Sequence, residues 1–188
     1  MLKSLDEYSD TELFYMLCDD KKTAEKAFSE IFARHSSKVY AFCRRFLGNK
    51  EEAQDLFQET FIKFHQSASK DRAMTNLSAF LVTIARNLCV NYKRKDKPAI
   101  SFEDYMAHSD DMTGDKNELL ELVKSSLELL PDEYREIFIL REYDGMSYNE
   151  IAKMINQPLN TVKVRIHRAK QKMREILQPY LAEMSKYE

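Results

Sequence analysis

The stretch MSYNEIAKMINQPLNTVKVRIHRAKQKM, from Met146 to Met173, decides the fold of the C-terminal part of this chain. It holds two apolar patterns at helical spacing, and Asn-Gln-Pro at 156–158 separates them. A short helix, a tight turn and a longer helix form a helix-turn-helix, whose second helix can enter the major groove of DNA. The apolar positions expected on the inner sides of the two helices are Ile151, Ala152, Ile155, Val162, Ile166, Ala169, Met173 and Leu177.

The outer side of the second helix is strongly basic. Between Lys163 and Arg174 the sequence has six Lys or Arg residues and no acidic residue. Near the start of such a helix these side chains can bond to guanine edges, and further along they are placed for phosphates. A solvated surface helix is the alternative, but it would normally balance its charges with acidic partners, which this run lacks. The residues expected to contact DNA are Asn160, Thr161, Lys163, Val164, Arg165, His167, Arg168, Lys170 and Lys172.

The overall composition restricts any nucleic-acid contact to local patches. The chain has 188 residues, of which 44% are apolar, and its 3 Gly and 4 Pro favour helices over turn-rich β structure. Its net charge is −2, so a general electrostatic attraction to nucleic acid is excluded. The 3 cysteines are far apart and form no CxxC pair. We therefore expect no disulfide scaffold and a reducing, cytoplasmic location, with Cys43 and Cys89 packed in helical cores.

Metal, cofactor and membrane roles are not expected from this sequence. The 4 histidines are scattered and form no spaced ligand set with the cysteines, so neither a metal site nor a cofactor is predicted. The N-terminal segment MLKSLDEYSD lacks the apolar core of a signal peptide. No run approaches about 18 apolar residues, so we expect no membrane insertion.

Capping residues predict where several helices begin. Ser9 with Glu12, and Ser147 with Glu150, have the spacing of capping boxes, in which each side chain bonds to the other residue's backbone N–H. Gly48 is a natural helix stop because it accepts the left-handed conformation. The other residues expected at helix starts are Thr23 and Asn49 as caps, and Pro131 at a first helical position.

The chain is predicted to be all-α, with two small helical bundles joined by a flexible linker. The helical pattern disappears between residues 98 and 117, where acidic residues, Ser, Thr and Gly predominate. No alternating strand of useful length and no internal repeat is present. We place the first bundle at residues 1–97, the acidic linker at 98–117 and the second bundle, with the helix-turn-helix, at 118–188.

A carboxylate and amide cluster marks the helix EEAQDLFQETFIKF in the first bundle. Asp55, Gln58 and Glu59 share a face that Ile62 extends, while Leu56 faces inward, and no Lys or Arg is expected beside the cluster. Such a face suits docking on a basic partner helix. The alternative is that this face is only a solvated surface without a binding partner. Acid–base catalysis would also use carboxylates, but a pocket and a nucleophile are missing, so no catalytic residue is assigned.

A third polar surface lies on the helix from Leu77 to Tyr92 and on the basic residues after it. Basic side chains beside aromatic rings suit single-stranded DNA, because phosphates and unstacked bases are held together. Phe80 could equally be a core residue. The candidate residues are Phe80, Arg86, Asn87, Lys93 and Arg94, with Lys70 and Arg72 on the preceding loop, Gln66 to Asn76.

Together these pieces resemble an extracytoplasmic-function sigma factor of the sigma-70 family. DLFQETF, followed by FLVTIARNLCVNYKRK, is similar to the second region of that family. LPDEYREIFILREYDGMSYNEIAKMINQPLNTVKVRIHRAKQKM is similar to its fourth region. The likeness extends from about Glu25 to Leu177, and the two motifs in this order and separation are highly specific.

The resemblance implies a role for each surface. Asp55, Gln58, Glu59 and Ile62 would dock on the clamp helices of the largest subunit of core RNA polymerase. Asn87 and the Gln66–Asn76 loop would hold the exposed single strand of the minus-10 element, and the basic helix would recognise the duplex minus-35 element. The linker would follow the RNA exit path of the polymerase. An anti-sigma factor would hold the protein inactive by covering these surfaces.

Three positions depart from the family pattern. Phe80 stands where many relatives carry Trp, although Phe can still wedge against a base step. Val164 replaces a small polar residue, and His167 is unusual at its position. Two other function classes remain open on the sequence: a stand-alone helix-turn-helix regulator with an N-terminal sensor, which would bind promoters without polymerase, and a helical adaptor without any DNA binding.

Overall fold

The computed structural model describes residues 4–68, 73–95 and 116–184, with side chains of 122–180 in the third range. Helices account for nearly all of these residues, and no strand occurs in them, which confirms the all-α prediction. The chain divides into two compact units. The first consists of Met1–Arg44 and Asn49–Asn91, and the second of Arg45–Gly48 and Tyr92–Glu188.

The helices follow one another with short connections inside each half. A 3-10 helix at Leu5–Glu7 precedes α1 (Asp10–Met16), α2 (Lys21–Leu47), α3 (Lys50–Gln66) and α4 (Leu77–Lys95). The later elements are α5 (Lys116–Leu129), α6 (Asp132–Phe138), a π-helix (Ile139–Tyr143), α7 (Tyr148–Ile155) and α8 (Leu159–Met184).

Most of the predicted helix starts are confirmed. The Ser9 side chain accepts a hydrogen bond from the Glu12 backbone N–H, and Ser147 does the same for Glu150, so both capping boxes form. The Asn49 side chain caps α3 by accepting from two backbone N–H groups in its first turn. Gly48 has a φ of +78°, as expected of a glycine that ends a helix.

Two predicted helix starts were placed wrongly. Asp20, not Thr23, caps α2: its carboxylate accepts from the backbone N–H groups of Lys22 and Thr23 at 3.0 and 3.2 Å. Thr23 lies inside the first turn, where its hydroxyl donates to Asp20 at 2.6 Å. Pro131 is the residue before α6 and not its first helical residue.

The predicted acidic linker lies outside the described residues, apart from its end. Lys116 and Asn117, placed in the linker by the sequence pattern, form the start of α5. The reason is that the apolar spacing begins only at Leu119, although the backbone is already helical three residues earlier. Lys70 and Arg72, on the predicted minus-10 loop, also lie outside the described residues.

Aromatic rings hold the first unit together. Phe14 of α1 lies 6.2 Å from Phe64 of α3, and Phe32 of α2 lies 4.8 Å from Phe61 of α3, measured between ring centroids. Cys43 and Cys89 are both fully buried, which confirms their packing role. α3 is therefore fixed on its inner side while its other face remains open.

The second unit is built around α8, which packs against α5, α6 and α7. Buried Arg135 of α6 joins α5 to α6: its guanidinium donates to the carbonyl oxygens of Leu127, at 2.7 Å, and Leu130, at 3.0 Å, and also to that of Glu128. These bonds satisfy carbonyls at the C-terminal end of α5, which have no partner inside the helix. Burial lowers the pKa of Arg135, while Asp132 and Glu128 act in the opposite direction.

No helix in the described part of the chain is long and apolar enough to cross a membrane.

Candidate nucleic-acid and protein interfaces

Local backbone hydrogen bonds form the turn of the helix-turn-helix. At the end of α7, Asn156 adopts the left-handed conformation with φ 51° and ψ 51°. The backbone N–H of Gln157 then bonds to the carbonyl of Ala152 at 3.0 Å, and that of Asn156 bonds to Lys153 at 3.4 Å. This pair of bonds is a Schellman motif, which turns the chain sharply into α8.

The segment before α7 is also tied to the start of the helix-turn-helix. Arg141 of the π-helix donates to the carbonyl oxygen of Met146 at 2.8 Å, and its guanidinium lies 4.8 Å from the ring centroid of Tyr148. The Asp144 backbone N–H bonds to the carbonyl of Ile139 at 3.1 Å, which closes the wide π turn. α6, the π-helix and α7 are thereby linked into one support for α8.

The inner side of α8 is apolar, as predicted. Val162 and Ala169 are fully buried, and Ile166 and Met173 nearly so, whereas Leu177 is only half-buried. Burying a Val, Ile or Met side chain contributes about 1.5–3 kcal/mol. Packing of these apolar side chains therefore holds α8 against the other helices of its unit. Exposed ion pairs contribute less, about 0.2–1 kcal/mol each.

The outer side of α8 is exposed along its first turns. Val164 is 49% exposed although it is apolar. Thr161 is half-buried and Arg165 is partly covered. The other predicted residues are exposed: Asn160, Lys163, His167, Arg168, Lys170 and Lys172.

Two of these cations have acidic partners, contrary to the expectation from the sequence. Arg165 Nη2 lies 3.5 Å from Glu133 Oε2 of α6, and Lys170 Nζ lies 2.9 Å from Glu142 Oε1 of the π-helix. The run has no acid of its own, but helix packing supplies two acids from more than 25 residues earlier in the chain. Sequence spacing within one helix could not show them.

The acidic face of α3 is present but not free of positive charge. Asp55 and Gln58 are exposed, and Ile62 is 56% exposed. Glu59 is paired with Lys63, one helical turn later, at 3.3 Å. The expectation that no Lys or Arg lies beside the cluster is therefore wrong, because the i,i+4 spacing brings Lys63 onto the same face.

An exposed ring beside α3 was missed by the sequence reasoning. Phe32 of α2 is 39% exposed, although an apolar residue at helical spacing is normally buried. Its ring lies 5.8 Å from that of Phe57, which is itself half-buried rather than fully inward. The aromatic content between α2 and α3 exceeds what two helices can cover, so the outermost ring remains in solvent.

The predicted minus-10 face of α4 is partly core. Phe80 is half-buried, and its ring lies 6.2 Å from that of Phe64 in an edge arrangement. Arg86 Nη1 donates to Asn87 Oδ1 at 2.9 Å, so the two side chains are held together at the surface. Lys93 is half-buried and Arg94 is exposed. The polar candidate residues thus lie on one helix, α4, and part of the Phe80 ring is exposed to solvent.

No group of three or more His, Cys, Asp or Glu side chains in the described part of the chain could hold a metal ion.

Two family models match the chain, one in each half. The family model of sigma-70 region 2 matches residues 31–98, which include α3 and α4. The family model of sigma-70 region 4 matches residues 120–173, which include the helix-turn-helix.

Curated relatives match the chain over most of their length. The chain is 31% identical over 172 residues to the ECF RNA polymerase sigma factor SigW of Bacillus subtilis, covering 84% of this chain and 92% of SigW. It is 30% identical over 176 residues to the ECF RNA polymerase sigma-E factor of Escherichia coli, covering 86% of this chain and 92% of that protein.

Two solved structures share the fold. The sigma factor RpoE of Bartonella quintana, crystallised with the anti-sigma factor NepR, matches with a TM-score of 0.65 and 25% identity over 81% of this chain and 98% of the other. CnrH in complex with the cytosolic domain of CnrY matches with a TM-score of 0.67 over 91% of this chain and 99% of the other, at 21% identity, which supports the fold alone.

Proposed function

The chain belongs to the extracytoplasmic-function sigma factors of the sigma-70 family, and from this premise we propose how its surfaces divide the work of promoter recognition. It is a promoter-specificity factor and not an enzyme: it binds core RNA polymerase and directs transcription initiation at promoter DNA. The observation that carries this conclusion is the identity to SigW over 92% of SigW's length, which spans both sigma-70 regions.

We assign the outer side of α8 to the duplex minus-35 element. The residues proposed to contact DNA are Asn160, Thr161, Lys163, Val164, His167, Arg168 and Lys172. Their support is a basic, solvent-facing surface on the second helix of a helix-turn-helix. Arg165 and Lys170 lie at the edges of this surface, where contact with DNA would require their ion pairs with Glu133 and Glu142 to break.

We assign α4 to the single-stranded minus-10 element. Asn87, oriented by Arg86, would bond to an unstacked base, and the open part of the Phe80 ring would stack against a base step. Lys93 and Arg94 would neutralise phosphates further along the helix. In this proposal residues 1–97 form the region 2 domain, 98–117 the linker and 118–188 the region 4 domain.

The outer face of α3 is proposed as the docking surface for core polymerase. Asp55, Gln58 and Glu59 would bond to the clamp helices of the largest subunit, and Ile62 would add apolar contact. Charge complementarity supports the assignment, because exposed carboxylates favour a basic partner surface. The ion pair of Glu59 with Lys63 reduces this charge in the free protein.

Control by an anti-sigma factor is proposed in addition. RpoE of Bartonella quintana, at 25% identity, is held by the anti-sigma factor NepR in its crystal structure. A protein of that class would cover the exposed faces of both units here. Because ECF sigma factors act on RNA polymerase, and because none of the three cysteines forms a disulfide, we place the protein in the cytoplasm.

A stand-alone helix-turn-helix regulator is not supported by these findings. That alternative needs an N-terminal sensor, whereas residues 31–98 match sigma-70 region 2. A helical adaptor without nucleic-acid contact is likewise not supported.

Run-off transcription on a genomic promoter library tests the function directly. Purified chain and core polymerase together are expected to give specific transcripts, and neither component alone should give them. A footprint on promoter DNA from the chain alone, equal in strength to that with polymerase, would favour a regulator instead.

A further inference from the structure

Two acidic side chains hold the basic helix at opposite edges. Glu133 of α6 pairs with Arg165, and Glu142 of the π-helix pairs with Lys170. Arg165 and Lys170 lie about 140° apart around the axis of α8 at roughly 100° per residue. The buried stripe with Val162 and Ala169 runs between them. The pairs thus border the surface that faces away from the core.

The two pairs remove the cations that are least useful for reading sequence. A free guanidinium or ammonium group at the edge of a groove-binding helix reaches phosphates, which lie alongside every sequence. Here the guanidinium of Arg165 and the ammonium group of Lys170 are instead paired with the carboxylates of Glu133 and Glu142. Lys163, His167 and Arg168 form no ion pair with any side chain that the structure describes, and all three remain exposed, with His167 and Arg168 nearest the centre of the outer side.

The same pairs constrain the rotation of α8 about its own axis. Packing of an apolar stripe permits small rolls, because apolar contacts have no fixed direction. A hydrogen bond to a base edge does not permit them, since its geometry must be met within a fraction of an ångström. The ion pairs at the two edges, one to Glu133 on α6 and one to Glu142 on the π-helix, oppose a roll in either direction.

We propose that Glu133 and Glu142 are positioning residues for minus-35 recognition, which keep Arg165 and Lys170 away from phosphates and fix the roll of α8. Sequence is then read by Lys163, Val164, His167 and Arg168. The inference rests on the proposed assignment of α8 to the minus-35 duplex.

The test uses the full chain assembled with core polymerase and a duplex library whose upstream segment is randomised. Selection with the wild type defines a preferred sequence, and discrimination is the ratio of its affinity to that of a scrambled duplex. Glu133→Gln is expected to lower discrimination about tenfold. It should also bind the scrambled duplex more tightly, with a log–log salt slope steeper by about one. Glu142→Gln is expected to act in the same direction.

A matched control separates this effect from a change in net charge. Glu25 of α2 is also an exposed acid in an ion pair, with Lys21 at 4.0 Å, but it lies on the first unit. Glu25→Gln removes the same charge and should leave discrimination unchanged. Melting temperatures of the two variants should agree, since a purely structural role of Glu133 would move the melting temperature and not the salt slope.

A charge swap tests whether Arg165 acts through its ion pair with Glu133 or contacts DNA itself. Glu133→Arg combined with Arg165→Glu rebuilds the pair in the opposite sense, and it should recover most of the discrimination lost in Arg165→Glu alone. A swap variant as poor as the single variant would show that Arg165 contacts DNA itself, and would overturn the inference. Unchanged discrimination in Glu133→Gln would overturn it too, while leaving α8 as the recognition helix. A wild type that selects no upstream sequence would instead overturn the proposed function.

Discussion

Arg135 is the residue on which the connection between α5 and α6 depends most. Its guanidinium is the hydrogen-bond donor for the carbonyl oxygens of Leu127 and Leu130. Arg135→Met keeps much of the volume but removes the guanidinium donor of the Leu130 carbonyl and one of the two donors of the Leu127 carbonyl, so the free energy of unfolding should fall by about 3 kcal/mol. Urea unfolding followed by circular dichroism measures it. Arg168→Met, at an exposed site on α8, serves as the control, and an equal loss in both variants would contradict the capping role.

Asp20 gives α2 a start that depends on pH. The hydroxyl and then the backbone N–H of Thr23 are the largest causes that lower the pKa of Asp20. A lowered carboxyl pKa stabilises the folded state above the unfolded-state pKa, and this contribution is lost as pH falls through the folded-state pKa. The difference in the free energy of unfolding between wild type and Asp20→Ala should therefore be largest at neutral pH. It should decrease as the pH falls below about 4. A gap that stays constant with pH would exclude the ionised cap.

At the scale of elements, the turn between α7 and α8 depends on one backbone conformation. Asn156 has a positive φ of 51°, which Gly adopts without strain and a β-branched residue adopts poorly. Asn156→Gly should leave the melting temperature within a few degrees of wild type, whereas Asn156→Val should lower the free energy of unfolding by about 1–2 kcal/mol. Thermal unfolding of both variants provides the comparison. Equal stability of the two would mean that the Schellman motif does not direct the turn.

The elements also show what the sequence can and cannot predict. Periodicity and local caps are short-range properties, so the Ser147–Glu150 box and the inner stripe of α8 follow from spacing alone. Thr23 was expected as the cap of α2, but Asp20, three positions earlier, is also a capping residue type, and only the backbone shows which of them precedes the first turn. The partners of a charged side chain across a helix–helix contact depend on packing geometry.

The ion pairs at the two candidate surfaces show the same limit of prediction from sequence. The basic run on α8 lacks acids within itself, but Glu133 and Glu142 approach it from other elements. On α3 the opposite occurred, since Lys63 is part of the same helix and its i,i+4 spacing to Glu59 was visible. The exposed ring of Phe32 could not be foreseen, because an apolar residue at helical spacing is normally buried.

At the scale of the whole molecule, the small net charge results from opposite surfaces. The chain has 29 basic and 31 acidic residues, and six of the basic ones lie between Lys163 and Arg174 on α8, a segment without any acid. A polymerase-docking surface must be anionic where its partner is cationic, and a DNA-facing surface must be the reverse. One polypeptide can serve both partners because the proposed docking face of α3 and the proposed minus-35 surface of α8 lie on different units.

This separation predicts that docking and DNA reading can be changed independently. Lys63 neutralises Glu59 at 3.3 Å, so Lys63→Ala should expose the carboxylate and strengthen binding to core polymerase about two- to fivefold, the scale of an exposed ion pair. Combined Asp55→Ala and Glu59→Ala should weaken that binding by a larger factor, because two charge-assisted contacts are lost. Fluorescence titration of labelled chain with core polymerase measures both.

Glu25 of α2, an exposed acid paired with Lys21 at 4.0 Å, supplies the matched control on the first unit. Glu25→Gln removes one negative charge from a helix other than α3, and core affinity should remain at the wild-type value. Once each holoenzyme is saturated with the variant chain, the preference for the selected upstream duplex should be the same for all of them, since α8 is unchanged. Weaker core binding by Lys63→Ala would show that Lys63 itself meets an acidic group on the polymerase, and the docking face would then have to be redrawn around a cation.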